Sequence, residues 1–265
     1  MDEPLDRVAF LANSPNRIRV LETLATGPHT RAELAAQTDV ARATLSRILS
    51  EFEDREWIEH PRDRYVATPQ GVQLVRAVRS LTETVEALDR LGEQVQWFPI
   101  EHVDFDVGEL HDATIVRPDA TDNVRPLTRS LEHIRQAETV RLVASQHAPP
   151  ALAALWQATV VDRRLTLDGI VATPVFDAIR DSETDAQRMR EMVATDRVRF
   201  FRGSGLPACN CVDNDGTIIF ALRDDNGASQ ALVETESQAV REWFDAFFDR
   251  HREAAAPITA ADLDE

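Results

Sequence analysis

The sequence predicts a mixed α+β chain of two domains. A small helical N-terminal domain closed by a β-hairpin leads through a long helix into a larger α/β domain with a mixed sheet. Three observations carry this prediction. The first 67 residues show short helical periods followed by two strand-like runs, residues 69–98 keep one helical period, and from residue 113 onward strand and helix patterns alternate. At 265 residues and 43% hydrophobic content the chain can build two cores.

The N-terminal elements follow from their punctuation. Ser14-Pro15 reads as an N-cap followed by proline in the first helical turn. The helix it opens turns Ile18, Leu21, Leu24 and Ala25 inward, and Gly27-Pro28 stops it. Thr30 with Glu33 three residues later forms a capping box for a short helix through "AELAAQT". After the turn "TDV" comes "VARATLSRILSEF", residues 40–52. Leu45, Ile48, Leu49 and Phe52 share one helical face, while Arg42, Thr44, Ser46, Arg47 and Ser50 share the other. The hairpin follows, with Trp57-Ile58 and Tyr65-Val66 in its strands and His60-Pro61-Arg62-Asp63 at its tip.

Helix, short helix, turn, helix and hairpin is the layout of a winged helix-turn-helix. The stretch "TRAELAAQTDVARATLSRILSEFEDREWIE" resembles the winged-helix domain of ArsR-like bacterial and archaeal transcription regulators. The resemblance implies that the second of the paired helices lies in the DNA major groove and the wing touches the neighbouring backbone. Carried over by position, Arg42, Thr44, Ser46 and Arg47 would meet base edges and phosphates, and Arg62 and Arg64 the sugar-phosphate backbone. Ala41 stands where many relatives have a capping serine, so Asp39 is expected to take over the cap.

From Pro69 the chain keeps a helical period with Gly92 as its sole breaker. Leu74, Val78, Leu81, Val85, Leu88, Gly92 and Val95 alternate in steps of four and three, a heptad with Val at a and Leu at d that favours a two-stranded dimer seam. Val72, Val75 and Leu91 form a second stripe for packing on the chain itself.

Residues 97–112 read as an acidic connector. Beyond it, residues 113–116, 140–144, 165–172 and 198–201 read as strands. Helices are expected over 126–138, 149–160 and, as one piece, 175–194. Asp215-Gly216 and Asn226-Gly227 mark hairpin turns between three further strands. Thr235 to Gln238 matches a second capping box, opening a helix that buries Trp243, Phe244, Phe247 and Phe248. The small, acidic residues from 254 read as a disordered tail. With "PLTRSLEHIRQAETVRLVAS" leading into it, this half is similar to the sensor domain of archaeal regulators of the methanogen filamentation-regulator type. That resemblance implies a domain that binds an effector or partner and passes its state to the DNA-binding domain.

The chain holds no lysine: all 29 basic residues are arginine, against 46 Asp and Glu, a net charge of −17. Such a surface matches adaptation to a salt-rich archaeal cytoplasm. The charge is uneven, −1 over residues 1–80 and −16 over 81–265. The segment expected to meet DNA is therefore close to neutral. No apolar run approaches the roughly 18–20 residues of a membrane span, no basic segment opens the chain, and two cysteines fit a reducing compartment. A cytoplasmic protein without a membrane partner is expected.

No phosphate-cradling glycine loop, His-Glu-x-x-His helix or nucleophile elbow occurs, so neither enzyme activity nor a cofactor is expected. One constellation stands apart. Cys209 and Cys211 would share a strand face, and His147 ends an earlier strand. Three roles stay open for them: packing, lining of a ligand pocket, and metal or redox sensing.

The expected organisation is a DNA-binding domain over 1–71, a dimerisation helix over 72–98, a connector over 99–112, a sensor domain over 113–253 and a tail over 254–265. The expected partners are double-stranded DNA, a second copy of the chain and a small-molecule effector. The alternatives are a metal- or redox-responsive regulator using the cysteine pair, and a protein-interaction scaffold without DNA readout.

Overall fold

The computed structural model describes residues 3–224 and 226–264. Two compact units divide the chain, residues 1–83 and 84–265.

The first unit opens with a helix absent from the sequence expectations, α1 (Pro4–Ala12), whose Leu11 is buried while Leu5 is exposed. The helix α2 (Pro15–Ala25) starts where Ser14 caps it, accepting from the Arg17 amide. At α3 (Arg31–Thr38) the capping box is complete: Thr30 accepts from the Glu33 amide and Glu33 accepts from the Thr30 amide. Asp39 then leaves α3 in the left-handed region, at φ 52°, turning the chain into α4 (Arg42–Glu53).

Two short strands follow, β1 (Ile58–Glu59) and β2 (Val66–Ala67), paired antiparallel. Their tip, Pro61–Asp63, holds Arg62 and Asp63 at φ 51° and 63°. A bridge from Tyr65 to His29 adds a third rung. The core gathers Val20, Leu21, Leu24 and Leu34 with Leu45, Ile48, Leu49, Phe52 and Trp57.

The long helix α5 (Pro69–Leu91) is shorter than the sequence suggests. Gly92, at φ +54°, ends it, and residues 92–97 continue as a tighter 3-10 turn. Val75, of the second stripe, is buried in the first unit's core as that stripe requires, but Val78 is buried there too, so it does not belong to an open heptad seam. Leu81, Val85 and Leu88 remain exposed on the same helix.

The second unit is an eight-stranded mixed sheet with helices on both faces. Its elements are β3 (Thr114–Val116), α6 (Arg125–Gln136), β4 (Thr139–Ala144), α7 (Pro149–Trp156), β5 (Thr166–Ala172), α8 (Thr173–Arg180), α9 (Glu183–Val193), β6 (Val198–Gly203), β7 (Asn210–Asn214), β8 (Thr217–Arg223), β9 (Ser229–Thr235), α10 (Gln238–Ala254) and β10 (Ala256–Ile258). The order is β10-β6-β5-β4-β7-β8-β9-β3; β4, β5 and β6 are parallel and the other pairings antiparallel. One face packs on α10 through Val143, Ile170, Phe220, Val233, Trp243, Phe244 and Phe248. The other packs on the α6–α9 helices through Val140, Leu167, Val171, Phe176, Met189 and Phe200.

Three expectations change here. The single helix over 175–194 is two, because Asp181 breaks it and Ser182 re-caps the chain, accepting from the Asp185 amide. The cap of α10 is Ser237, not Thr235; Thr235 instead accepts from the Ser237 amide. The tail is ordered through Asp264. Residues 256–258 extend the sheet beside β6, and Ile258 and Leu263 are buried. Two apolar positions among small acidic ones suffice to dock it.

Candidate nucleic-acid interface

The helix α4 is built from its buried side outward. Leu45, Ile48, Leu49 and Phe52 lie in the core, which fixes the opposite face. There Arg42, Arg47 and Ser50 are exposed, and Thr44 and Ser46 half-buried. Ser46 donates its hydroxyl to the Arg42 carbonyl at 2.9 Å, leaving oxygen lone pairs outward. Arg47 Nη1 is 3.4 Å from Glu51 Oε1, and Glu51 Oε2 is 3.1 Å from Arg17 Nη2. Glu51 was not singled out in the sequence; its i,i+4 spacing from Arg47 was the available signal.

The start of α4 differs from expectation in one respect. No side chain caps it, because Asp39 serves the end of α3 instead. Its first turn therefore has no capping side chain to accept from its amides, which suits an anion's oxygens.

The hairpin tip carries the other two candidates. Arg62 is exposed and has no ion pair among the described residues. Arg64 is drawn back: its Nη1 donates to the Pro28 carbonyl at 3.1 Å and lies 3.5 Å from Glu33 Oε2. The Glu33 carboxyl sits below its usual pKa, held chiefly by the Thr30 amide and hydroxyl, with Arg64 adding to this. His60 stacks flat on Tyr65, ring centroids 3.9 Å apart, which stiffens the tip.

In the second unit the cysteine pair and His147 are not brought together. Cys209, in the bend just before β7, and Cys211, on β7, do lie side by side, Sγ to Sγ 3.7 Å, but on the sheet face packed against α10, and both are buried. The Cys209 thiol and burial push the Cys211 thiol well above its ordinary pKa, so it stays protonated. His147 lies on the opposite side, its Nε2 3.1 Å from Asp185 Oδ2; Asp185 Oδ1 also holds Arg188 Nη1 at 3.0 Å.

A second ionic cluster was invisible in the sequence because it joins residues over a hundred positions apart. Arg129 forms a two-pronged pair with the buried Glu234 at 2.8 and 2.9 Å, and His133 Nε2 lies 3.1 Å from Glu234. Burial pushes the Glu234 carboxyl up, but His133 and Arg129 outweigh it and hold the group down to about 2.

The order of these two units agrees with the comparisons. Residues 5–90 match the HVO_A0261 N-terminal domain. Residues 124–254 match the middle domain of the methanogenesis regulatory protein FilR1. The second match is to a domain of a regulatory protein, and neither match covers half of the chain. Among solved structures, TrmBL2, described as an archaeal chromatin protein, is 16% identical over 94% of this chain and 98% of its own, with a TM-score of 0.41. Ligand-free NadR is 23% identical over 34% of this chain and 72% of its own, at 0.28. The RosA dimethyltransferase from Streptomyces davawensis is 16% identical over 76% and 64%, at 0.24. No curated protein sequence matches. No helix among the described residues is long and apolar enough to cross a membrane.

Proposed function

We propose that this chain is a dimeric, sequence-reading DNA-binding regulator of the winged helix-turn-helix kind, whose second unit senses a small-molecule effector. The observation that carries this reading is α4. Its apolar face is wholly committed to the core, while Arg42, Thr44, Ser46 and Arg47 face outward beside an uncapped helix start. Arginine can take guanine in two hydrogen bonds, hydroxyls serve bases or phosphates, and free amides suit a phosphate. Arg62 would supply a backbone contact from the wing, with Arg64 a weaker one because Pro28 and Glu33 already hold it.

The acidic surface sets the mode. In concentrated salt the counterion-release contribution falls steeply, so base contacts and the symmetry of two half-sites have to carry specificity. Exposed Leu81, Val85 and Leu88 on α5 supply the apolar stripe for pairing two copies. The cysteine pair, both members buried and the Cys211 thiol held protonated, lends no support to a metal or redox reading.

Fluorescence anisotropy on genomic fragments in molar KCl tests the DNA reading, and sedimentation tests the dimer. Arg42→Ala should weaken binding, and Val85→Glu should yield a monomer. DNA binding that Arg42→Ala and Arg47→Ala leave unchanged would contradict the assignment of α4.

A further inference from the structure

The cavity-facing side of the second unit's sheet holds a group that its surroundings leave unsatisfied. On β8 the side chains of Ile219, Ala221 and Arg223 point to the face covered by α6 and α7, as Val140, Leu142 and Ala144 do on β4. Between sheet and helices lies a narrow cavity of about 90 Å³, lined mostly by aliphatic side chains. Arg223 reaches it at one end and has no ion pair or side-chain hydrogen bond among the described residues. Burial alone lowers its pKa: the half-buried guanidinium loses hydration and has no counter-ion among the described residues.

The surroundings of that end are polar and built. The amide of Asn210, itself only 8% exposed, accepts from the Ser145 and Gln146 amides at 2.8 Å each and donates to the Gln146 carbonyl at 3.0 Å. This fixes the loop after β4, at the carboxyl ends of the parallel strands, where open α/β sheets commonly hold ligands. Gln146 Oε1 is buried with no hydrogen-bond partner among the described residues, and so is Oδ1 of Asn214, further along the same face and 6% exposed. Gln146, His147 and Arg223 also line an open pocket beside Trp97, Phe98 and Ile100, which makes this end the mouth. Asp224 and Glu101 line that outer pocket too, but the Asp224 carboxylate is engaged by Asn226, Ala228 and Gln230 of its own turn.

We propose that the cavity binds an aliphatic carboxylate, its chain among Leu142, Ala144, Leu152, Val212 and Ala221 and its head on Arg223 at the mouth. The chemistry selects this class. A lining that is aliphatic over most of its length disfavours a sugar or nucleotide, whose hydroxyls outnumber the few polar groups there, the free acceptors of Gln146 and Asn214 among them. At about 90 Å³, below the roughly 150 Å³ that admits benzene, the cavity has room for a short flexible chain and not for a ring. A carboxylate offers the guanidinium the paired geometry that it lacks. Use of this ligand as an effector rests on the DNA-binding reading, whereas the binding itself does not.

Isothermal titration calorimetry on the full chain with butanoate, 1-butanol and acetate separates the two claims, since it needs no DNA. Butanoate should bind saturably and at least about tenfold tighter than 1-butanol, with acetate silent. Arg223→Gln should erase the preference for butanoate while keeping the melting temperature. Ala221→Trp, which fills the cavity, should remove binding of both chains. Absence of butanoate binding, or butanoate and butanol binding equally to the natural chain, would overturn the proposal. A failure here would leave DNA binding by α4 untouched.

Discussion

Arg47 and Glu51 lie one helical turn apart on α4, their charged atoms separated by 3.4 Å, and the same Glu51 carboxylate holds Arg17 of α2 at 3.1 Å. Glu51 thus joins the outward face of α4 to the scaffold beneath it. Arg17 is mostly buried, donates to the Phe10 carbonyl and lies over the Phe10 ring at 3.8 Å, so its partner matters to stability. Glu51→Ala should cost the first unit about 1 kcal/mol in urea unfolding. Arg47→Ala, exposed and singly paired, should stay within about 0.5 kcal/mol of the natural chain. Equal losses would show that Arg47 is structural.

Gly71 sits where α5 passes the end of the hairpin. A Cβ there would fall 2.1 Å from the Trp57 carbonyl oxygen, and that carbonyl already accepts the Thr68 amide. Backbone, not a flexible side chain, is the obstacle. Gly71→Ala should therefore lower the first unit's stability by about 2 kcal/mol or more, read as a drop in its unfolding midpoint. An unchanged midpoint would refute the close approach.

The Glu234 cluster makes the second unit acid-sensitive. Its carboxyl is held at about 2 in the fold against an ordinary value of 4.5. A depressed carboxylate contributes stability that is present above the unfolded value and fades as pH falls toward the folded one. The second unit should lose on the order of 2 kcal/mol between about pH 5 and 2 through this group. In Glu234→Gln, unfolding free energy measured across that interval should flatten. A slope as steep as that of the natural chain would assign the acid sensitivity elsewhere.

The cysteines should be inert. With both thiols buried and Cys211 pushed up, a thiol reagent should label neither in the native chain and both in denaturant. Rapid native labelling would place them at an accessible site.

Leu263 tests the ordered tail. Packed at 4% exposure in the core beneath the α6–α9 helices, it should cost about 2–3 kcal/mol when replaced by alanine. A neutral Leu263→Ala would return residues 259–264 to the disorder that their composition suggests.

Local chemistry explains which parts were legible beforehand. Ser14, Thr30 and Glu33 announce helix starts because a cap is a short-range hydrogen bond, and each is made as read. The period of Leu45, Ile48, Leu49 and Phe52 orients α4 without any tertiary knowledge. Asp215 at φ 49° and Gly216 at φ 91° form the tight hairpin turn that their types foretell. What was missed depends on distant partners. The parity of Cys211 on β7 was readable, but the helix covering that face, α10, was not assignable from spacing. Arg223, ending the apolar run "TIIFALR", was a visible anomaly whose meaning appears only when β4 and β7 align beside it. Val78 looked like a seam residue because a heptad and a packing stripe share positions, and the first unit's core claimed it.

A binding selection from fragmented genomic DNA in molar KCl, run side by side with the natural chain and Arg47→Ala, tests the central claim most directly. The account predicts that the natural chain enriches a two-fold symmetric motif and that Arg47→Ala, equally folded, loses it. An identical motif from both proteins, or no enrichment by either with and without butanoate, would contradict α4 as the element that reads DNA.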